Sequence, residues 1–230
     1  MAQNNALTSL FRLLEYTFRN EVLLNEALTH RSAAAVNNER LEFLGDGILN
    51  FIIAARLFEQ YPDLDEGDLS RLRASLVNKD SLADIAKILE LGQYIKLGSG
   101  ELKSGGRRRD SILADAVEAI LGAVYIDSGF DNCRDLILRL YKEKLQNIPD
   151  VQALKDPKTC LQELLQSRRY PLPAYTVLEV TGKAHNQMFK VECRIEGLDC
   201  TTTAQGKSRR KAEQAAAKLA IEEVHKKMAS

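Results

Sequence analysis

Apolar residues in the first two thirds of the chain recur at three- and four-residue intervals, the spacing that turns one face of an α-helix toward a core. Leu41, Leu44, Ile48, Ile52 and Ala55 form one stripe, and Leu69, Leu72, Leu76 and then Leu82, Ile85, Leu89 form two more. Leu113, Val117, Ile120, Leu121 and Val124 make a fourth, followed by Cys133, Leu136, Ile137, Leu140 and Tyr141. Pro62 is the only proline before Pro149, so little interrupts these helices, whereas Pro157, Pro171 and Pro173 follow soon after. An all-α domain is predicted over residues 1–146, and the polar, proline-bearing stretch 147–155 reads as a linker.

The period then changes. Lys158 to Arg168 is helical in pattern, but Tyr175–Thr181 and Met188–Ile195 alternate in the β-branched and aromatic manner of strands, with Gly182–Asn186 as the turn between them. Glu196–Asp199 forms a second turn into Cys200–Ala204, and Ser208 is placed to cap a long alanine-rich helix. Residues 156–226 therefore predict a small α+β domain in the order α-β-β-β-α, with a three-stranded antiparallel sheet and both helices on one face.

Charge reinforces this division. The whole chain is neutral, with 32 basic and 32 acidic side chains. Residues 1–155 nevertheless carry 19 basic against 23 acidic groups, and residues 156–230 carry 13 against 9. Such asymmetry joins an acidic body to a basic binding module. Cys133, Cys160, Cys193 and Cys200 include no C-x-x-C pair and lack the histidine spacing of a zinc site. No secretory pattern or bilayer-length apolar run occurs, so a cytoplasmic protein with reduced thiols and no membrane association is expected.

The candidate chemistry lies in two groups of acids. In Glu39-Arg-Leu-Glu42-Phe-Leu-Gly-Asp46-Gly47, Glu42 and Asp46 are four residues apart and share a helix face. Asp115 and Glu118 are three apart within Ile112–Ile120. A single acidic pair is ordinarily a solvated helix face, but these are flanked by Leu, Phe, Ile and Ala, and no Lys or Arg stands at i+4 to Glu42 or Asp46. Crowded carboxylates losing hydration need a cation or a proton, and a hard divalent ion with oxygen ligands is the economical answer. Gly45 and Gly47, each unfavourable inside a helix by about 1 kcal/mol, suggest close approach of another backbone.

The stretch Glu39–Asp46 resembles the signature of bacterial ribonuclease III, an endonuclease of double-stranded RNA. The likeness extends to Leu28-Thr-His-Arg-Ser32, Asp65-Glu-Gly-Asp68, Gly100-Glu-Leu-Lys-Ser-Gly-Gly106, Ser111-Ile-Leu-Ala-Asp115 and the α-β-β-β-α tail. Gly47 departs from the usual Ser or Ala. The resemblance implies Mg²⁺-dependent phosphodiester hydrolysis, with Mn²⁺ as a substitute ion, giving staggered cuts with 5′-phosphate and 3′-hydroxyl ends in ribosomal and other structured RNA precursors. By the same resemblance Glu42, Asp46, Asp115 and Glu118 hold the metal, with Asp46 and Glu118 the catalytic positions. Glu39 and Glu66 match acids near the cleavage centre, with a surface or dimer-contact role as the alternative. His30 suits a structural role. A homodimer is implied, with the apolar helices of residues 39–90 as candidate contact surface, and no small-molecule cofactor.

The tail resembles a double-stranded-RNA-binding domain, a fold that spans ~16 base pairs through two minor grooves and the phosphates between them. That likeness assigns Arg209 and Arg210, within Ser208-Arg-Arg-Lys211 at a helix N-terminus, to phosphates. It places Thr159, Gln162 and Glu163 at one minor groove and His185 at the next. Glu213 occupies a position where many such domains carry a basic residue, which implies a weaker phosphate grip. Arg107–Arg109 either guides phosphate toward the acids or is a plain exposed loop. A non-catalytic duplex-RNA binder is the alternative function, but the retention of all four acids weighs against it. A purely structural helical domain leaves the two acidic pairs unexplained.

Overall fold

The computed structural model describes residues 2–183 and 186–229, which divide into two compact units, Met1–Val151 and Gln152–Ser230. His185 lies outside the described residues. The first unit is helical: α1 (Ala2–Leu14), α2 (Glu21–Ala27), α3 (Glu39–Gln60), α4 (Glu66–Val77), α5 (Lys79–Ile88), α6 (Ser99–Lys103), α7 (Asp110–Ser128), α8 (Phe130–Leu140) and α9 (Lys142–Gln146), while α10 (Val151–Leu154) spans the boundary between the units. α10 falls inside the stretch read as a linker. Side-chain caps fix several starts: Asn20 accepts from Val22 N–H, Asp65 from Asp68 N–H, and Asn78 from Ser81 N–H.

α7 is the axis of this unit. Its residues Ile112–Ala114, Ala116, Val117 and Ala119–Val124 are buried, so it is apolar almost all round and is packed by α2, α3, α5 and α8. Asp115 and Glu118 interrupt that apolar surface where α3 lies alongside.

The buried face of α3 differs from the predicted stripe. Leu41, Gly45, Leu49, Ile52, Ile53 and Leu57 are buried, whereas Leu44 and Ile48 are only partly covered and Ala55 is exposed. α3 is apolar on more than one side, and a hydrophobicity count passes over glycine. Gly45 marks the true contact line.

The second unit contains α11 (Pro157–Ser167), β1 (Ala174–Thr181), β2 (Met188–Ile195), β3 (Cys200–Gly206) and α12 (Arg209–Ala229). The sheet is antiparallel in the order β1-β2-β3, with a register irregularity between Val177 and Glu179. Leu161 and Leu165 of α11, Cys193 and Ile195 of β2, Cys200 of β3 and Ala216, Ala217, Ala220 and Val224 of α12 form its core. The alanines let α12 approach closely, and the buried Thr202 hydroxyl donates to the Ala216 carbonyl at 2.8 Å. Asp156 caps α11 with Pro157 in its first turn, and Ser208 Oγ accepts from Lys211 N–H at the start of α12.

Candidate active site and nucleic-acid interface

Two glycines set the distance between α3 and α7. A Cβ at Gly45 would overlap the Glu118 carbonyl, and one at Gly122 would overlap the Leu41 carbonyl. Backbone thus meets backbone at the crossing, and the acids one turn away are drawn together. Ligand oxygens of Glu42, Asp115 and Glu118 all lie within 4.8 Å of one another, and each residue is partly buried. Gly47 behaves differently: nothing lies within 4 Å of where its Cβ would be, so close approach does not explain it.

Proximity and burial penalise the charged forms of these acids. Glu118 is pushed from 4.5 up to about 8, first by loss of hydration and then by the charges of Asp46, Glu42 and Asp115. Glu42 is raised by burial and by Asp115, Glu39 and Asp46. Asp115 is raised by burial, while His30, Arg31 and Lys79 oppose the shift. An all-oxygen donor set carrying this much unrelieved charge matches what a hard divalent cation requires.

Asp46 stands beside this trio. It is exposed, and Asn50 Nδ2 donates to its Oδ1 at 2.7 Å and to its backbone carbonyl at 3.0 Å. Its charge still acts on both Glu118 and Glu42.

A polar cleft of about 260 Å³ opens beside the trio, lined by His30, Arg31, Asn38, Glu39, Glu42, Glu101, Arg109, Ser111, Ile112 and Asp115. Glu39 pairs with Arg31 at 3.4 Å. Arg109 is held by Glu101 at 2.7 Å and by Ser104 Oγ at 3.0 Å. The His30 ring accepts from Ser32 N–H at 3.2 Å. Arg31, Glu101 and Ser111 lie in stretches that carry the family likeness and Asn38 does not, but no shared period points any of them to the cleft, because they come from separate segments of the chain. Within the triple-arginine run, Arg107 is structural, donating to the carbonyls of Gly92 and Gln93, and Arg109 reaches the cleft.

Glu66 is elsewhere. In the first turn of α4 it accepts from Ser70 Oγ at 2.8 Å and lines a groove with Phe51, Phe58, Leu64 and Leu69. Phe43, Phe51 and Phe58 of α3 are 83, 61 and 71% exposed, a run of aromatic surface along one helix.

In the second unit Thr159, Gln162 and Glu163 are exposed at the i, i+3 and i+4 positions of α11, and Lys155 pairs with Glu163 at 3.2 Å. Arg209, Arg210 and Lys211 are exposed in the first turn of α12. Arg210 faces Asp156 at 3.6 Å. Glu213 is buried, and it accepts from Lys158 Nζ at 2.6 Å and from Arg209 Nε at 2.8 Å. Lys158 and Asp156 are members of this charged ridge that the sequence reading did not single out.

Comparison with known proteins bears on both units. Residues 20–145 match the ribonuclease-III-like family model, and residues 157–224 match the double-stranded RNA binding motif. The chain is 56% identical to "Ribonuclease 3" of Vibrio vulnificus, covering 96% of this chain and 98% of that protein. It is 58% identical to "Ribonuclease 3" of Bordetella petrii, covering 94% and 86%. Among solved structures, the nuclease domain of ribonuclease III from Campylobacter jejuni superposes with a TM-score of 0.59 at 44% identity, covering 60% of this chain and 98% of that one.

Proposed function

Because the chain belongs to the ribonuclease III family and is an endoribonuclease with a double-stranded-RNA-binding domain, we propose that it hydrolyses duplex RNA in the cytoplasm using Mg²⁺, with Mn²⁺ as a substitute. In this reading it makes staggered cuts that leave 5′-phosphate and 3′-hydroxyl ends, and its substrates are ribosomal and other structured RNA precursors. The observation that carries the proposal is the cluster of Glu42, Asp115 and Glu118, oxygens within 4.8 Å, in a chain that also bears a duplex-binding domain.

Glu42, Asp115 and Glu118 would hold the ion, with Asp46 beside them as the fourth acid. When bound, the ion supplies a water of lowered pKa and positive charge opposite the scissile phosphate and the leaving 3′-oxygen. The protein's own work is preparatory. The Gly45–Gly122 crossing fixes the carboxylates before substrate arrives, so little reorganisation is left for the reaction. Glu118, whose carboxyl is pushed up to about 8, would hold an ion as the carboxylate, so ion binding would be linked to loss of its proton. Asn50 orients Asp46 through its amide, and Glu101 fixes the Arg109 guanidinium at the cleft next to the acids.

An A-form duplex has two strands, and among the described residues each chain carries one clustered acidic group, so a homodimer provides one site per strand. The exposed Phe43, Phe51 and Phe58 and the groove beside them support the α3–α4 face as its contact surface. The Campylobacter jejuni nuclease domain likewise has a region involved in dimer formation. Glu66, on that groove, belongs to this surface.

Product ends test the chemistry. Fragments that accept a labelled 5′-phosphate from a kinase only after phosphatase treatment, and that ligate through their 3′ ends without repair, are the expected outcome. Fragments with 5′-hydroxyl or cyclic-phosphate ends contradict it.

A further inference from the structure

Glu213 has the placement of an organiser. Its side chain is 10% exposed, yet it is ionised and each oxygen holds a different cation: Oε2 accepts from Lys158 Nζ and Oε1 from Arg209 Nε. Burial alone would raise its pKa, but the hydrogen bonds from Lys158 and Arg209 outweigh burial and hold it below the usual glutamate range. The Lys158 ammonium also sits 4.4 Å from the centroid of the Tyr175 ring on β1. One carboxylate therefore ties α12 to α11 and, through Lys158, to the sheet.

The atoms engaged matter. Glu213 takes Arg209 by Nε, and among the described residues the two terminal nitrogens of Arg209 make no hydrogen bond, while the side chain is 65% exposed. The planar guanidinium is thus braced from within while its bidentate edge remains available. Long cationic side chains lose rotamer freedom when they bind, and ordering them beforehand removes that cost from the binding step.

We infer that Glu213 is a positioning residue for duplex RNA, its buried carboxylate setting Arg209 and Lys158 in place for the phosphate backbone. This rests on the reading that Arg209 contacts phosphate. It reverses the expectation from charge alone, in which an acid here simply weakens the grip.

The experiment measures affinity of the full chain for a perfect RNA duplex in EDTA across a series of KCl concentrations, for wild type, Glu213→Gln, Glu213→Asp, Glu213→Lys and Arg209→Ala. Glu213→Gln and Glu213→Lys are expected to bind about tenfold more weakly than wild type, the order set by freeing two rotamer-rich side chains. The Glu213→Gln salt slope stays at the wild-type value because the RNA-facing cations remain. Glu213→Asp, which keeps the charge but withdraws it by one methylene, is also weakened. That variant preserves a test should Glu213→Gln and Glu213→Lys fold poorly. Tighter binding by Glu213→Lys with unchanged binding by Glu213→Asp would overturn the inference while leaving the phosphate reading intact. An Arg209→Ala protein with wild-type affinity and slope would instead remove the phosphate reading, and this inference with it.

Discussion

Gly45 of α3 lies directly against the carbonyl of Glu118 of α7, so close that α3 cannot accommodate a Cβ there. The same contact that defines the interhelical distance also defines the distance between the acids. Gly45→Ala is therefore expected to destabilise the fold by at least about 2 kcal/mol, since the obstacle is backbone rather than a movable side chain. It should also lower Mg²⁺ affinity, because separating the helices spreads the oxygens. Urea unfolding together with metal titration checks both effects, and a neutral Gly45→Ala would mean the crossing is not a constraint.

Gly47, two residues on, makes the opposite prediction. It is exposed in an unbroken helix with open space around it. Gly47→Ala should stabilise the protein by up to about 1 kcal/mol through helix propensity, with metal binding unchanged. Equilibrium denaturation measures it.

The raised pKa of Glu118 makes the metal-free protein's stability depend on pH. In the unfolded chain the carboxyl ionises near 4.5, whereas in the fold it keeps its proton to about 8. Between those values the folded state binds more protons, so this group's contribution declines as pH rises and has run its full course above about 8. Glu118→Gln should abolish that decline and be more stable than metal-free wild type at alkaline pH, while losing activity. Thermal melts in EDTA across pH 5 to 9, compared between the two proteins, test this. A parallel decline in both would assign the effect to other groups.

The same protonation links ion uptake to proton release. Mg²⁺ affinity should climb with pH up to about 8, and calorimetry in buffers of different ionisation enthalpy should detect protons released on binding below that value. Binding without proton release at pH 7 would contradict the assignment of Glu118 as a ligand.

The basic ridge predicts a salt effect. Arg209→Ala or Arg210→Ala should weaken binding similarly for unrelated duplexes and reduce the salt slope by about 1, as expected for loss of one phosphate contact. An unchanged slope would refute the phosphate role.

The sequence singles out four acids because carboxylates among apolar neighbours are costly unless something relieves them, and the fold brings three of them, Glu42, Asp115 and Glu118, together; the second unit shows in the sequence because the period shifts from helix to strand. Tyr175–Thr181, Met188–Ile195 and Cys200–Ala204 all fall within observed strands, and Ser208 caps the last helix as expected. The rotation of α3 is not legible, because an apolar count treats Gly45 as neutral when it is the residue of closest approach. Nor is the polar cleft, whose Arg31, Glu101 and Arg109 come from separate segments. Glu213 is misleading from sequence alone, where it counts as a lost positive charge. In the fold it is the acceptor that aligns two others.

The Glu42–Asp115–Glu118 cluster, with Asp46, is the proposed metal site of a duplex-RNA endonuclease. The most direct measurement incubates a long uniform RNA duplex with wild-type protein in Mg²⁺, in Ca²⁺ and in EDTA, and with Asp46→Asn and Glu118→Gln proteins in Mg²⁺. Short duplex products with staggered ends are expected in wild type with Mg²⁺ alone. A duplex bound tightly yet left whole under every condition would contradict it and identify the chain as a binder whose acidic cluster serves another purpose.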